Sequence, residues 1–325
     1  MKLPDGITLL ATVCNTVPHA VPLTLWMARG DKQYLVDMSQ VLDQRGDAGL
    51  TGMVWYQDKL YVAVQSSAAR ILVLDRRLTL LGTITSQDFV DLHSLHVFGD
   101  SIAVLSTGAG SVLLLDIPNG TAERLCQFER RMHLNAACFD GPELLVCCQP
   151  PEGHGVLNVS TRRMVLDGMR HPHSLMRSSD AFLALDSAGS RVIRFDQQSV
   201  RQQVTLSGFL RGCAAARGTL YVGSSTSRVV SRKNPTMSPA RELLNVMADQ
   251  ALIYELDEAT LALRATHAPI LAGYELYELL ALDGDLIDPP AERLLSPAAS
   301  AMAHLFYDSA KLLFAESKAR AANSG

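Results

Sequence analysis

Three histidines of this chain, His93, His133 and His173, follow one another at a constant interval. Each begins a short apolar run that ends in a turn and is followed by a second apolar run. His93 and His173 lie in the same tripeptide, His-Ser-Leu. A repeat of about 40 residues made of short strands, which this interval matches, is typical of a β-propeller blade. Residues at the same place in successive blades converge on the central axis, so the spacing predicts an axial pocket lined by imidazoles.

Short apolar runs separated by turn residues fill each interval of the repeat, which is the pattern of an antiparallel blade of four strands. The sequence predicts five such blades, whose first strands begin near residues 52, 94, 135, 174 and 208. The same interval reaches Met53 before His93 and Cys213 after His173. The period then breaks at an insertion in the fifth blade, over residues 226–249.

Strands from both ends of the chain are predicted to complete a sixth blade. Only one strand, over residues 275–282, follows the fifth blade, whereas three runs precede the first blade, at residues 7–14, 23–28 and 33–38. Joining them closes the ring and removes the exposed edges that open β-structures must protect. The predicted fold is an all-β, six-bladed β-propeller over residues 1–290, closed by N-terminal strands.

The C-terminal tail, residues 291–325, has a different pattern. Apolar residues such as Leu295, Met302 and Phe306 recur there at helical spacing, which predicts a helix or a helix pair. The tail is expected to pack on the ring or on a second subunit, which would make a homodimer. The alternative is that it binds another protein.

Composition argues against several classes of function. The net charge is −4 and no Lys/Arg-rich run is present, so no nucleic-acid partner is expected. No apolar stretch reaches the roughly 18 residues needed to span a bilayer, and the first residues lack a secretory pattern. The sequence therefore predicts a cytoplasmic protein without a membrane partner. The six cysteines show no Cys-x-x-Cys spacing, and no nucleotide, flavin or haem cofactor is expected.

The first strand of each blade lines the channel, and its leading residues lie near one mouth. The repeat therefore assigns a set of polar residues to one cavity. The predicted catalytic residues are His93, His133, His173, Glu275 and Glu278. The predicted substrate-binding residues are Asn135, Arg211, His96, His171 and Tyr277.

Three roles for the histidines stay open. His93, His133 and His173 could ligate one divalent metal ion and leave positions for water or substrate. Without a metal, the same imidazoles could act as general acid and base, while Glu275 or Glu278 orients one of them. Arg211 could then bind a carboxylate or phosphate through two parallel hydrogen bonds. In the third alternative, each histidine only ties its blade to the neighbouring blade.

Several segments at the blade openings recur in the same order in one protein family. They are Asp91-Leu92-His93, His133-Leu134-Asn135, Pro172-His173-Ser174, Leu185–Gly189, Gly208–Gly212, Tyr221-Val222-Gly223 and Glu275–Glu278. On these segments the chain resembles a family of uncharacterised bacterial six-bladed propeller proteins. More remotely, the architecture is similar to that of strictosidine synthases and gluconolactonases. The resemblance implies the propeller fold and supplies no activity.

Two functions follow from these patterns. In the first, the protein is an enzyme that acts on a small polar or anionic substrate in the axial pocket, as a lyase, cyclase, isomerase or hydrolase. The insertion at 226–249 would then serve as a lid over the mouth. In the second, the protein is a non-catalytic scaffold that binds a ligand or a partner protein on one face. Propellers serve both purposes, so the fold alone does not separate these functions.

Overall fold

The computed structural model describes residues 1–16, 18–129, 132–150, 153–196, 199–225, 251–271 and 275–295. Within these ranges the strands form six antiparallel sheets. The first strand of each sheet contacts the first strand of the next, so the sheets are blades around one axis. The all-β, six-bladed propeller predicted from the sequence is confirmed.

The first five complete blades each contain four consecutive strands, and each blade begins with its innermost strand. The strands that precede them are β1 (Ile7–Val13), β2 (Leu25–Arg29) and β3 (Lys32–Val36). Blade 1 contains β4 (Asp47–Tyr56), β5 (Lys59–Ser66), β6 (Arg70–Leu74) and β7 (Leu80–Ile84). Blade 2 contains β8 (Leu92–Phe98), β9 (Ser101–Ser106), β10 (Ser111–Asp116) and β11 (Thr121–Gln127).

The next three blades repeat this arrangement. Blade 3 contains β12 (Ala136–Asp140), β13 (Glu143–Cys148), β14 (Gly155–Asn158) and β15 (Arg163–Leu166). Blade 4 contains β16 (Pro172–Ser178), β17 (Ala181–Asp186), β18 (Arg191–Phe195) and β19 (Val200–Thr205). Blade 5 contains β20 (Phe209–Ala216), β21 (Thr219–Ser225), β22 (Leu252–Asp257) and β23 (Leu263–His267).

Blade 6 joins the two ends of the described chain. Its innermost strand is β24 (Leu276–Asp283), which pairs antiparallel with β1, and β2 and β3 follow outward. A two-residue strand, β25 (Leu294–Leu295), pairs with the outer edge of β3. The sequence predicted the strand from the C-terminal side and the three from the N-terminal side, but it did not predict β25.

Two predicted segments lie largely outside the described residues. The insertion at 226–249 is entirely outside them, and so are residues 296–325 of the C-terminal tail. The first residues of that tail form a 3₁₀ helix, Ala291–Arg293, and then β25. Within the described ranges, no helix has the length and apolar character needed to span a membrane.

The core consists of one apolar layer between each pair of neighbouring blades. A middle strand serves two layers, because successive side chains of a strand point to opposite faces. In β5, Leu60, Val62 and Val64 pack toward blade 6, while Tyr61 and Ala63 pack toward blade 2. This explains why the middle strands read as continuous apolar runs in the sequence, whereas outer strands such as β11 are mostly exposed.

A β-bulge interrupts the innermost strand of five blades at the same place. Two residues of the inner strand there lie opposite one residue of the next strand, a change that redirects side chains. The paired residues are Thr51-Gly52, His93-Ser94, His173-Ser174, Arg211-Gly212 and Tyr277-Glu278. The pairing of β12 with β13 in blade 3 has no such shift. The bulges therefore set the direction of the residues nearest the axis.

A side-chain hydrogen bond to the backbone crosses each of the six junctions between blades near the axis. The donors and acceptors are Thr51 Oγ1 to Leu92 O, Thr107 Oγ1 to Leu134 O, Asn135 Nδ2 to Pro172 O, Gly212 N to Ser174 Oγ, Ser225 Oγ to Leu276 O, and Thr12 Oγ1 to Thr51 O. These groups are buried, so each bond satisfies polar atoms that would otherwise be costly to bury. The ring of inner strands is thus held in a fixed arrangement around the axis.

Candidate functional site

One residue of each blade occupies the equivalent place in the register of the innermost strand. We call these six residues the axial tier. They are Thr51, His93, Asn135, His173, Arg211 and Tyr277. Five of them are the first residue of a bulge, and Asn135 occupies the position in the blade without one. The register of the inner strands therefore determines which six residues form the axial tier.

His133 does not share the register of His93 and His173, contrary to the prediction from the constant interval between the three histidines. It lies two residues before Asn135, in the position that Asp91 and His171 occupy in their own blades. We call this second set the mouth tier, and it consists of Gly49, Asp91, His133, His171, Phe209 and Glu275. Asp91, His133 and His171 all have a positive φ, of 53°, 42° and 54°. This shared conformation, uncommon for residues other than glycine, supports the equivalence.

The axial side chains meet across the axis. The rings of His93 in blade 2 and Tyr277 in blade 6 are 5.6 Å apart, although blade 1 lies between these two blades. The ring of His133 is 5.3 Å from that of His93, in an edge-to-face arrangement. Of the three predicted imidazoles, His93 and His133 thus contact each other, and His133 does so from the mouth tier.

The hydrogen bonds of Asn135 determine which nitrogen of His93 carries the proton. Asn135 Nδ2 donates to Pro172 O at 2.8 Å, so its Oδ1 faces His93 and must accept a hydrogen bond there. His93 Nδ1 lies 3.1 Å from that oxygen and is therefore the protonated nitrogen. In the neutral ring, Nε2 is then left as the acceptor. Asp91 Oδ2 lies 3.7 Å from Nε2, at a distance suited to charge attraction with a protonated ring.

His173 is fixed in the corresponding tautomer and is held neutral. Its Nδ1 lies 2.9 Å from the carbonyl oxygen of His171, which can only accept, so Nδ1 carries the proton. Its Nε2 is 3.3 Å from Arg211 Nη2, which can only donate. Burial, and then the positive charge of Arg211, lower the pKa of His173 well below its ordinary value. His173 therefore orients Arg211 and has no free lone pair.

Arg211 is the central cation of the cluster. Its Nη1 lies 3.4 Å from Glu275 Oε2 and 3.7 Å from Cys14 Sγ. Its guanidinium carbon lies 5.1 Å from the centre of the Tyr277 ring and 5.2 Å from that of Phe209. Such contacts with aromatic rings add to the attraction of the carboxylate. Arg211 is thus held in one position by Glu275 and two aromatic rings.

Two buried polar atoms of the axial tier have no hydrogen-bond partner in the described part of the chain. They are the Tyr277 hydroxyl and Arg211 Nε. Both side chains are buried, with 6% and 7% exposure. Burial raises the pKa of Tyr277 well above its ordinary value. Arg211 opposes this rise, whereas Cys14 and Asp91 add to it. The hydroxyl therefore remains a donor, and the cost of burying it unpaired is expected to fall when an acceptor binds.

Two predicted site residues lie apart from these contacts. The ring of His96 stacks on Phe139 at 6.1 Å, and burial lowers the pKa of His96. Glu278 is the second residue of its bulge, and its Oε1 accepts a hydrogen bond from Leu279 N at 3.2 Å. Burial raises the pKa of Glu278 to about 8. His96 thus belongs to the interface of blades 2 and 3, and Glu278 binds backbone beside the axis.

His171, which was predicted to bind substrate, belongs to the mouth tier and has a partner that the sequence did not predict. Its Nδ1 is 3.1 Å from Gln149 Oε1, and its ring is 5.8 Å from that of His154. His154 falls outside the repeat of the inner strands because it lies in the loop between β13 and β14. Burial, and then the charge of His154, lower the pKa of His171.

Other residues of the cluster were missed because they lie outside the inner strands. Cys14 and Asn15 follow β1, and Asn15 Nδ2 donates to Glu275 Oε2 at 2.7 Å. Gln65 Nε2 donates in turn to Asn15 Oδ1 at 2.9 Å. Ser187, in the turn after β17, has its Oγ 2.9 Å from His173 Nδ1. Nothing in the linear repeat marks these positions.

The geometry gives the predicted metal site of His93, His133 and His173 no support. In the described ranges, no group of three or more His, Cys, Asp or Glu side chains is arranged to hold a metal ion. His173 Nε2 faces the guanidinium of Arg211, and a metal ion there would meet a positive charge instead of a lone pair. The chemistry of the cluster is therefore best considered through its protons and hydrogen-bond donors.

Comparison with known proteins shows the fold. No protein-family model matches the sequence, and no curated protein matches it. A chain of the nidogen–laminin complex is 12% identical, with a TM-score of 0.61 over 85% of this chain and 98% of that one. A protein of unknown function from Bacteroides caccae is 10% identical, with a TM-score of 0.54 over 86% and 99%.

A second protein of unknown function, from Bacteroides thetaiotaomicron, is 12% identical, with a TM-score of 0.51 over 86% of this chain and 71% of that one. At these identities the likeness concerns architecture only. It confirms, at the level of the fold, the resemblance to uncharacterised bacterial propeller proteins.

Proposed function

We propose that this protein is an enzyme that transfers a proton at a carbon next to a carbonyl group, as a lyase or an isomerase does. His93 is the general base and acid. Tyr277 and Arg211 bind the carbonyl oxygen. The observation that carries the proposal is the buried Tyr277 hydroxyl, which has no partner in the described ranges and packs beside an imidazole whose acceptor nitrogen is fixed.

The proposed step uses the acceptor and donors of the axial tier. His93 Nε2 takes a proton from the carbon, and the electron pair of that C–H bond forms a C=C bond to the carbonyl carbon as the π pair of the C=O bond moves to the oxygen. Negative charge then develops on the carbonyl oxygen, which accepts hydrogen bonds from the Tyr277 hydroxyl and Arg211 Nε. In a substrate with a second C=C bond conjugated to the carbonyl, return of the proton to the far carbon of that system completes an isomerisation. In a substrate with a leaving group on the next carbon, the C=O bond re-forms and the leaving group departs with its bonding electron pair, which completes an elimination.

The surrounding residues support these roles. Asn135 keeps the proton of His93 on Nδ1, and Asp91, near Nε2, stabilises the imidazolium that forms when the proton is taken. His173 and Glu275 hold the guanidinium of Arg211 in place. All of these groups are buried or half-buried, where hydrogen bonds to developing charge are stronger than in water.

Exchange of carbon-bound hydrogen in D₂O tests this proposal without knowledge of the natural substrate. The purified protein is incubated with a panel of small 2-oxo compounds that includes pyruvate, pyruvamide, 2-oxobutyrate and 2-oxobutanamide. The loss of the NMR signal from the hydrogens on the carbon next to the carbonyl group is followed over time. We expect exchange above the buffer rate for at least one compound, a decrease of about 10²–10⁴-fold in His93→Gln, and about 10²–10³-fold in Tyr277→Phe.

The matched control is His267→Gln, which makes the same substitution on the outermost strand of blade 5. His267 Nε2 pairs there with Glu255 Oε1 at 2.8 Å, away from the axis. This variant should exchange as fast as the unmodified protein. Absence of exchange across the panel, or equal rates in His93→Gln and His267→Gln, would contradict the proposal.

The scaffold alternative has one observation in its favour. The rings of His93, His133 and Tyr277 contact one another, as side chains with a packing role would. In that case the face of the propeller that carries the mouth tier would bind a partner protein, and the axial residues would only join the blades. Absence of exchange by the unmodified protein across the panel, together with a lower unfolding temperature in Tyr277→Phe, would favour this alternative.

A further inference from the structure

We infer that the substrate presents an uncharged carbonyl group, such as that of an amide, an ester or a ketone, rather than a carboxylate. This inference rests on the proton transfer proposed for the axial tier and narrows the class of its substrate. It departs from the sequence prediction, which allowed an anionic substrate because Arg211 is present near the axis.

The positive charge of Arg211 is already compensated inside the protein. Glu275 Oε2 is 3.4 Å from Arg211 Nη1, and the two side chains are 10% and 8% exposed. Asn15 Nδ2 holds the same carboxylate oxygen at 2.7 Å. A carboxylate brought by a ligand would have to compete with this buried ion pair, and breaking such a pair is costly. Arg211 is therefore not available for a second ion pair with a ligand's carboxylate, although its Nε can still donate one hydrogen bond.

A second carboxyl group adds negative charge where the substrate would bind. Asp91 Oδ2 lies 3.7 Å from His93 Nε2, the nitrogen proposed to receive the proton. Among the described residues of these contacts, one guanidinium and two ionised carboxyl groups give a negative formal charge. His173 does not offset it, because burial keeps that ring neutral. An anion bound beside His93 and Tyr277 would thus face like charge at close range.

The unpaired donors fit a neutral oxygen. Arg211 Nε offers one hydrogen and the Tyr277 hydroxyl offers another. A carbonyl oxygen has two lone pairs and can accept both hydrogen bonds, whereas a carboxylate would bring a second oxygen that needs donors of its own. Arg211 Nη1 already faces Glu275 and Cys14, and one hydrogen of Nη2 faces His173, so at most one further guanidinium hydrogen remains for a second oxygen.

Matched probes test the charge preference at the same site. Pyruvate and pyruvamide differ mainly in charge, and exchange of their methyl hydrogens in D₂O is measured with equal concentrations of the protein and corrected for the buffer rate. We expect pyruvamide to exchange at least about ten-fold faster than pyruvate. In Asp91→Asn and in Glu275→Gln, the ratio of the pyruvamide rate to the pyruvate rate should fall by about ten-fold, because each change removes negative charge next to the ligand.

Asp88→Asn is the control, because it removes a carboxylate from the same loop as Asp91. Asp88 pairs with Arg124 at the outer strand of blade 2, so its loss should leave the ratio unchanged. Thermal unfolding of each variant shows whether it is folded.

The outcomes separate this inference from the proposal on which it depends. Faster exchange of pyruvate than of pyruvamide, lost in His93→Gln, would overturn the charge preference and leave the proton transfer intact. Exchange that is independent of His93 for both probes would overturn the proton transfer and this inference together. Equal ratios in Asp91→Asn, Asp88→Asn and the unmodified protein would show that Asp91 does not set the preference, and would also overturn the inference.

Discussion

Tyr277 is the axial residue whose proposed role in binding the carbonyl oxygen is expected to lower the stability of the protein without ligand. Its hydroxyl is buried and has no partner in the described residues, so the folded protein without ligand bears the cost of removing that group from water. A residue kept for packing alone would be expected to be phenylalanine. The conflict therefore distinguishes a binding role from a structural one.

We predict that Tyr277→Phe raises the free energy of unfolding by up to about 1 kcal/mol while it slows the exchange reaction. The substitution removes an unsatisfied hydroxyl and keeps the ring that packs on His93 and Arg211. Urea unfolding of both proteins gives the change in stability. A loss of more than about 1 kcal/mol would show that the hydroxyl has a partner within the fold.

Glu278 gives the protein a distinct dependence of stability on pH. Burial raises its pKa from an ordinary value of 4.5 to about 8. Between these values the folded protein keeps a proton that the unfolded chain has lost, so this carboxyl makes the free energy of unfolding fall as the pH rises. Below pH 4.5 both states are protonated, and the effect is absent.

We predict that Glu278→Gln is more stable than the unmodified protein at pH 8, by about 2–4 kcal/mol relative to their difference at pH 4.5. The amide keeps an oxygen that can accept from Leu279 N and has no charge to bury. Urea unfolding at several pH values measures the difference. Glu123→Gln, on the exposed strand β11, is the control and should show no such trend. Parallel pH curves for Glu278→Gln and the unmodified protein would contradict the prediction.

The identity of the axial residues could be predicted only in part. The constant interval indicated His93 and His173 correctly but matched them with His133, whereas Asn135 has their register. The axial residues are unevenly spaced, because the loops between blades differ in length: His93 is farther from Asn135 along the chain than Asn135 is from His173. A local pattern is a better signal, since a leucine or proline comes immediately before every axial residue, as in Leu134-Asn135 and Pro172-His173.

At the scale of the strand, the bulge is the element that positions the site. Its second residue is small in blades 1, 2, 4 and 5, where Gly52, Ser94, Ser174 and Gly212 occupy it. The reason is close approach between inner strands. A Cβ atom on Gly52 would lie 2.5 Å from His93 O and 2.7 Å from Leu95 N, distances that real Cβ atoms do not adopt.

We predict that Gly52→Ala destabilises the protein by about 2 kcal/mol or more and slows exchange, because the inner strand that carries His93 must move. Gly82→Ala is the matched control within blade 1. A Cβ on Gly82 meets nothing within 4 Å, so this change should alter stability by no more than about 0.5 kcal/mol. Thermal or urea unfolding measures both. Similar values for the two variants would show that the inner strands separate easily.

Strands were predicted more accurately than the bulges within them. Continuous apolar runs located strands such as β9 and β17, because both faces of a middle strand are buried. The start of β4 was placed at Gly52, whereas the strand begins at Asp47. A bulge adds a residue without changing the composition of the run, so periodicity does not reveal it. This is why the side chains at the axis were harder to assign than the blades.

At the scale of the whole molecule, closure depends on pairing between distant parts of the chain. β24 pairs with β1 in blade 6, and Cys14 and Asn15 at the end of β1 reach Glu275. The sequence predicted this closure because one strand was left over on one side and three on the other. The same pairing completes both the ring and the cluster around Arg211.

We predict that a fragment of residues 47–295 does not form the closed propeller. Without β1, the inner strand β24 has no partner in its sheet, and the apolar layers of blade 6 against blades 1 and 5 are exposed. Circular dichroism and urea unfolding compare the fragment with the whole chain. A cooperative transition of the fragment at the same urea concentration would show that closure contributes little.

The bulge at a common register has a consequence for how such a protein could diversify. Each blade contributes one side chain to the axial tier, and the backbone that carries it is fixed by bonds across the junctions. Exchange of one axial residue for another therefore alters one sixth of the lining and leaves the scaffold unchanged. A series of single replacements at these six positions could produce a set of proteins with different chemistry on a shared frame.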